Sequence, residues 1–368
     1  MPGKIRHYFA SGNTAKGFHS LYASSLDPLQ RLYILKGGPG TGKSTLMKKL
    51  GETWSKKGFD VEYIHCSSDH ESIDGILLPQ LQAGVADGTA PHIIEPRVPG
   101  AIEEYINLGA GWNSSELRKH KKELLALREN IQSSYQSAYH EFSQALRIHD
   151  DWEKIFIENM NFKKANLLTQ KLLSEFFQEE NLNKKAKVIH RFLGAATSRG
   201  AVDYVPNLTE DVQRRIFIKG RPGSGKSTML KKIAAEAEKR GYDTEVYHCG
   251  FDPDSLDMVI LREAGIAIFD STAPHEYFPE REGDEILDMY ALAILPGTDE
   301  KFAVQLKEIS SRYAERMKQG TFYLAEAKAL HDQVEAIYTS SMNFLSVNEA
   351  AEEISSEFER LAAEQIIY

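Results

Sequence analysis

Arg31-Leu-Tyr-Ile-Leu-Lys-Gly-Gly-Pro-Gly-Thr-Gly-Lys-Ser-Thr45 is the stretch on which the reading of this chain turns, and it occurs twice: Arg214-Arg-Ile-Phe-Ile-Lys-Gly-Arg-Pro-Gly-Ser-Gly-Lys-Ser-Thr228 repeats it. In each copy a short apolar, β-prone run ends in a glycine-rich turn. Apolar residues at helical spacing follow, Leu46, Met47 and Leu50 in the first copy, until a glycine suited to a C-terminal cap, Gly58 or Gly241. A displacement of 183 residues superimposes Arg31–His92 on Arg214–His275 without a gap, and 26 of the 62 positions are identical. The same register pairs His7 with His190, Phe9 with Phe192, Thr14 with Thr197 and Gly17 with Gly200. Beyond one net deletion the displacement is 182, and His149-Asp150, Met160-Asn161-Phe162 and Ser174-Glu175-Phe176 meet His331-Asp332, Met342-Asn343-Phe344 and Ser356-Glu357-Phe358. The sequence therefore predicts two repeats, residues 1–183 and 184–368, with the linker in the polar stretch Gln178–Lys187.

Two further strands per repeat are expected, Asp60–His65 and Ala83–Ala86 with their copies Asp243–His248 and Ile266–Phe269. Strands alternating with helices predict two α/β domains with parallel sheets. After Gly100 the strand signal fades. Leu117, Leu124, Ile131, Tyr135, Ala138, Phe142 and His149 follow a three-four spacing, repeated by Leu306, Ile309, Tyr313, Met317, Leu324, Ala327 and His331, so each domain carries a long helical arm. Packing against a neighbouring helix accounts for that stripe, and a protein partner is the alternative. His149 and His331 read as core histidines.

Composition narrows the function. Of 368 residues 42% are hydrophobic and 26% charged, the balance of an ordinary globular protein. A net charge of -9 gives no overall basic field for nucleic acid or anionic lipid. No apolar run approaches the ~18 residues a membrane span needs, and only two cysteines are present, so the expected setting is cytoplasmic.

Gly37-Gly38-Pro39-Gly40-Thr41-Gly42-Lys43-Ser44-Thr45 and Gly220-Arg221-Pro222-Gly223-Ser224-Gly225-Lys226-Ser227-Thr228 both satisfy G-x-x-x-x-G-K-[ST] between a strand and a helix. Glycines let successive N–H groups turn inward around a phosphate, and the helix N-terminus adds its positive end. Lys43 and Lys226 supply charge for the β- and γ-phosphates, and Ser44 and Ser227 a hydroxyl for Mg²⁺. Asp87 and Asp270, each at the end of a strand and 44 residues after its lysine, suit the carboxylate that supports Mg²⁺. The guanine-reading Asn-Lys-x-Asp is approached only by Asn183-Lys184-Lys185-Ala186, which lacks the Asp, so ATP is the expected nucleotide.

On these residues the chain resembles the P-loop NTPases, as a tandem duplication similar to a bacterial family of ATPase or nucleotide-kinase-like proteins. The resemblance spans both halves, with the two loops its specific motifs, and implies nucleotide binding and phosphoryl chemistry. The short lysine-to-aspartate spacing is that of the kinase-type class, and Gly88 and Ser271 stand where many motor ATPases and transporters have a catalytic Glu.

His65-Cys66-x-x-Asp69 ends the second strand and Thr89-Ala90-Pro91-His92 follows the third, repeated as His248-Cys249-x-x-Asp252 and Thr272-Ala273-Pro274-His275. Ligands collect at the carboxyl ends of parallel strands. Asp69 and Asp252 are candidate bases, and His92 and His275 candidates for stabilising charge; loop capping is the plain alternative. His65, Cys66 and His92 with their copies also have metal-ligand chemistry, with two buried, inert thiols the plain alternative. Lys16 and Arg199, each just before the glycine of a tight turn, read as a charge finger or as surface, and Arg97 and Arg281 as phosphate clamps one position out of register. Three functions are open: an ATPase that drives a conformational switch, a small-molecule or nucleotide kinase with its own acceptor, and a non-enzymatic ATP-binding scaffold.

Overall fold

The computed structural model describes residues 1–178 and 180–366. The first repeat contains β1 (Ile5–Phe9), β2 (Ser11–Thr14), β3 (Gly17–Ser20), α1 (Tyr22–Leu26), β4 (Arg31–Lys36), α2 (Lys43–Lys56), β5 (Val61–His65), β6 (Ile73–Leu78), β7 (Ala83–Asp87), β8 (Glu103–Asn107), α3 (Ser114–Lys119), α4 (Lys121–Glu158) and α5 (Phe162–Phe177). The second contains β9 (Val188–Phe192), β10 (Gly194–Thr197), β11 (Gly200–Asp203), α6 (Val205–Leu208), β12 (Arg214–Lys219), α7 (Lys226–Lys239), β13 (Thr244–His248), β14 (Leu256–Leu261), β15 (Ile266–Asp270), β16 (Asp284–Asp288), α8 (Met289–Ala293), α9 (Thr298–Lys301), α10 (Ala303–Ser340) and α11 (Leu345–Ile366).

Twelve strands form one sheet in the order β8-β4-β7-β6-β5-β1-β9-β13-β14-β15-β12-β16. The α/β class holds, but the sheet is mixed where the sequence predicted a parallel one. β6 runs antiparallel to both β5 and β7, and β14 to β13 and β15. The physical reason is the short connection: β6 reaches β7 through one 3-10 turn, Pro79–Leu81, with Gln82 at φ 47, too short for the crossover that a parallel pair needs. β1, β6, β8 and the β2–β3 hairpin, with their copies, were not among the expected strands.

The two half-sheets meet at the antiparallel pair β1 and β9, whose register matches Phe9 with Phe192. These are equivalent residues of the two repeats, so the halves are related as the subunits of a two-fold dimer are. Beneath the seam Arg191, 2% exposed, donates to Glu62 at 2.6 Å, lies 3.6 Å from Glu245 and stacks over the Tyr8 ring. Burial of this kind holds only when the charge is paired.

Alternate residues of each central strand feed two cores. Leu32 and Ile34 face a core that runs under both half-sheets, while Tyr33 and Leu35 face an outer one. The outer cores show an exchange between repeats. α11, of the second repeat, contributes Val347, Ala350, Ile354 and Phe358 to the core of β4 and α2. α5, of the first, contributes Leu172, Phe176 and Phe177 to the core of β12 and α7. The 38-residue helices α4 and α10 carry the chain across as an antiparallel pair. Ser134 donates to Glu326, Arg316 to Glu141, and Gly320 leaves room for the Phe142 ring. His149 and His331, expected in the core of this pair, are only half-buried. The His149 ring still lies 5.8 Å from Tyr313 of α10, and just beyond each histidine the helix meets the other repeat's glycine loop, Glu153 at Gly223 and Glu335 with Thr339 at Gly40. No helix among the described residues is long and apolar enough to cross a membrane.

Candidate functional site

β4 delivers Gly37–Gly42 to the start of α2. Gly40 and Gly42 take φ of 67° and 83°, and Gly42, left-handed, is an N-cap without a side chain. The first turn of α2 therefore opens with backbone N–H groups that no intrahelical carbonyl can reach, the arrangement that attracts an anion. Gly223 and Gly225 repeat it at 73° and 88° before α7. Lys43 Nζ folds back onto the loop, donating to Gly37 O and Gly38 O at 2.8 Å each, and stands 3.5 Å from Asp87 Oδ2. Lys226 Nζ donates to Arg221 O at 3.0 Å and stands 3.5 Å from Asp270 Oδ2.

The carboxylates arrive by strand register. β4 and β7 are adjacent and parallel with Leu35 opposite Asp87, and β12 and β15 place Ile218 opposite Asp270. Thr89 N and Oγ1 donate to Asp87 Oδ1 at 2.8 and 2.6 Å, which leaves Oδ2 toward the lysine. Thr272 does the same for Asp270. Burial pushes the Asp87 carboxyl up, against the pull of Lys43. Ser44 Oγ accepts from Ile73 N at 3.0 Å, and Ser227 Oγ from Leu256 N at 2.9 Å.

Sequence reasoning missed Asp74, next to Ile73 on β6, and its copy Asp257. The signal was there: the position is identical in both copies and lies inside an apolar run. Asp74 and His92 are 6% and 7% exposed, their Oδ2 and Nε2 3.0 Å apart, and His92 Nδ1 has no hydrogen-bond partner among the described residues. Burial alone would lower the His92 pKa, but the Asp74 carboxylate outweighs it and holds the imidazole above its ordinary value. Cys66 Sγ completes a group of three donor atoms within 4.8 Å of one another. The second repeat differs, because Asp203 stands where the first has Ser20 and takes His275 Nδ1 at 2.6 Å. The expected donor set therefore changes membership: His65 is held away from it, Nδ1 on His70 O at 2.6 Å and Nε2 on His7 Nδ1 at 2.8 Å. His248 is tied down the same way by Pro253 O and His190. Burial and the nearby Asp74 and Asp257 carboxylates push the Cys66 and Cys249 thiols well up.

Asp69 lies in the loop after β5. It accepts from Ser72 Oγ at 3.0 Å and from Glu71 N at 3.3 Å, so it caps the loop that presents Ile73 to Ser44. Burial would raise its pKa, but Lys328 of α10, 3.4 Å away, and the Ser72 hydrogen bond bring it below the ordinary carboxylate value. Asp252 has the same bonds to Ser255 and Asp254 N, and its cation is Lys16 at 2.9 Å. Arg97 and Arg281 do not reach either loop. Arg97 pairs with Asp27 and Glu103, and Arg281 donates to the carbonyls of Thr209, Glu210 and Val212.

No family model, curated protein or solved structure matches the chain. The donors at each loop are a serine hydroxyl and a carboxylate, hard oxygen ligands that suit Mg²⁺ and leave a thiophilic ion no advantage. Beside the first loop, Trp112 and Tyr338 close on Gly38, and a cleft of 440 Å³ opens between Ala110–Asn113 and Ser340–Asn343.

Proposed function

We propose that this chain is a tandem P-loop NTPase that binds Mg²⁺-ATP at both glycine loops and couples hydrolysis to its helical arms. The observation that carries the reading is the conjunction found twice: left-handed glycines at a bare helix N-terminus, a lysine ammonium folded back onto the loop backbone, and an aspartate 3.5 Å from it on the adjacent strand, buried in the first repeat and half-buried in the second. Lys43 spends two of its three donors on the loop and keeps the third for the phosphates. Ser44 with Asp87, and Ser227 with Asp270, would hold Mg²⁺, which when bound supplies positive charge to the phosphate oxygens. The loop backbone and lysine orient the phosphates, and Asp69 and Asp252 hold the loops that face the position of an attacking oxygen. The same site would serve transfer to a small-molecule hydroxyl. Hydrolysis with switching is favoured because the element lying against each loop is an arm of this chain.

Calorimetry with Mg²⁺-ATP tests the reading. A stoichiometry near two per chain, reduced by one in Lys43→Ala and by one in Lys226→Ala, is expected; no binding in the unmodified chain overturns it. ADP release without an added metabolite pool marks an ATPase, and release only with the pool a kinase.

A further inference from the structure

Resting on that reading, we infer that each nucleotide site is completed by the other repeat, with Lys16 serving as the cationic finger of the second loop and Arg199 as that of the first. Both residues sit at hairpin tips. Thr14 Oγ1 accepts from Lys16 N and donates to Gly17 O, and Thr197 Oγ1 does the same for Arg199 N and Gly200 O. These bonds fix the turn backbone from which each long side chain departs.

The tips cross the seam. Ala15 N donates to Phe251 O at 2.9 Å, which docks the first hairpin on the second repeat's Cys249–Asp254 loop. There Lys16 Nζ meets Asp252 and Asp254. Asp252 is bonded to Ser255, and the next residue, Leu256, donates to Ser227 Oγ. Lys16 thus stands a short chain of bonds from the second site's hydroxyl. Its own repeat's Ser44 is served from elsewhere: Arg199 of the second hairpin meets Glu71 at 2.7 Å, and the Asp69–Ile73 loop that holds Glu71 also supplies Ile73 N to Ser44.

The arms cross in the same sense. Glu335 O and Thr339 of α10 lie so close to Gly40 that a Cβ there would stand 2.6 Å from the carbonyl, and Glu153 of α4 covers Gly223 in the same manner. Lys328 of α10 supplies the cation to Asp69. Among the described residues the ion pairs of Asp69 and Asp252 both come from the opposite repeat, Lys328 at Asp69 and Lys16 at Asp252. In the structure the fingers rest on carboxylates. A γ-phosphate held at the neighbouring glycine loop would compete for them, and a guanidinium or ammonium that engages transferring phosphate stabilises the charge that develops there.

The test uses full-length chains in which only one loop binds nucleotide: Lys226→Ala leaves the first, Lys43→Ala the second. Affinity for Mg²⁺-ADP with aluminium fluoride, a mimic of the transferring phosphoryl group, is compared with affinity for Mg²⁺-ADP alone. Arg199→Ala should lower the ratio at the first site by tenfold or more, and Lys16→Ala at the second, with ADP affinity little changed. Arg199→Lys and Lys16→Arg should restore most of the loss, which a merely structural role would not show. Effects confined to the finger's own repeat, or absent from both sites while ADP still binds, overturn the inference and leave the nucleotide reading standing. Absence of ADP binding in the unmodified chain overturns both.

Discussion

At the scale of single residues the candidate site separates charge that holds structure from charge left for chemistry. Asp69 and Asp252 are bound by a serine hydroxyl, a backbone N–H and a lysine each, which is the environment of a loop cap. A base role makes a distinct demand: Asp69→Asn with Asp252→Asn should lower turnover by ~10² or more with ATP affinity intact, whereas a cap would lower the melting temperature and leave the rate per folded molecule unchanged. Measured turnover equal to that of the parent in a normally folded double variant ends the base assignment. The histidines make a second prediction. Burial holds His7, His65, His190 and His248 below the ordinary 6.5, with His65 at about 4. The unfolded chain therefore takes up protons first as the pH falls, so the stability these groups contribute is present above about 6.5 and is lost on the way down to 4. His92 and His275, raised by Asp74 and Asp203 against burial, act in the opposite sense: their contribution is present below about 6.5 and fades as the pH rises above it. Burial lowers His149 and His331 as well, so six histidines titrate in the first sense against these two and Asp257, whose carboxyl burial pushes up to about 6, and thermal stability should fall from pH 7 to pH 5. His65→Gln with His248→Gln should flatten that fall, and an unaltered slope would place its origin elsewhere.

At the scale of elements, the loops, their flanking strands and helices, and the arms were legible because each has a local cause: glycine at positive φ, alternation, three-four spacing. The antiparallel β6 was not, since Ile73–Leu78 is buried from end to end, Asp74 included, so no alternation marks it as a strand, and its direction depends on a turn three residues long. The exchange of α5 and α11 was not legible either. Both repeats carry the same apolar stripe, so packing each last helix on its own lobe or on the other buries the same kinds of residue, and only the reach of α4 and α10 decides. Phe358→Ala tests the exchange. Phe358 is fully buried, and truncating it should cost about 3–5 kcal/mol. Hydrogen exchange should rise in α2 and β4 of the first repeat, although the residue belongs to the second; a rise confined to β12 and α7 would refute the crossing. Gly223→Ala probes the arm's contact with the loop. The left-handed φ of 73° costs a side chain about 1–2 kcal/mol, and its Cβ would overlap Glu153 O. Faster exchange at the end of α4, around Trp152–Asn159, is expected; protection unchanged there would show that the arm does not bear on the loop.

At the scale of the whole molecule the repeats are bound in four places: the Phe9–Phe192 seam, the hairpin tips that cross it, the α4–α10 pair and the two exchanged helices. The linker is then the weakest of the connections, serving only to keep the halves at high effective concentration. A protease site inserted beside Asn183, in the exposed stretch between α5 and β9, allows the folded chain to be cut. The two fragments should travel together through gel filtration and separate only in denaturant, because each would leave an apolar lobe face and an apolar helix uncovered if it left. The seam supplies the sharper half of the prediction. Arg191 of the second fragment is paired with Glu62 of the first at 2.6 Å, while Glu245 of its own fragment is 3.6 Å away. Glu62→Gln removes the nearer partner and leaves the guanidinium buried with a poorer one, a defect that costs about 3–5 kcal/mol when a buried pair is broken. The cut Glu62→Gln protein should therefore dissociate at concentrations where the cut parent stays whole. Equal dissociation of the two would show that the arms alone hold the halves together.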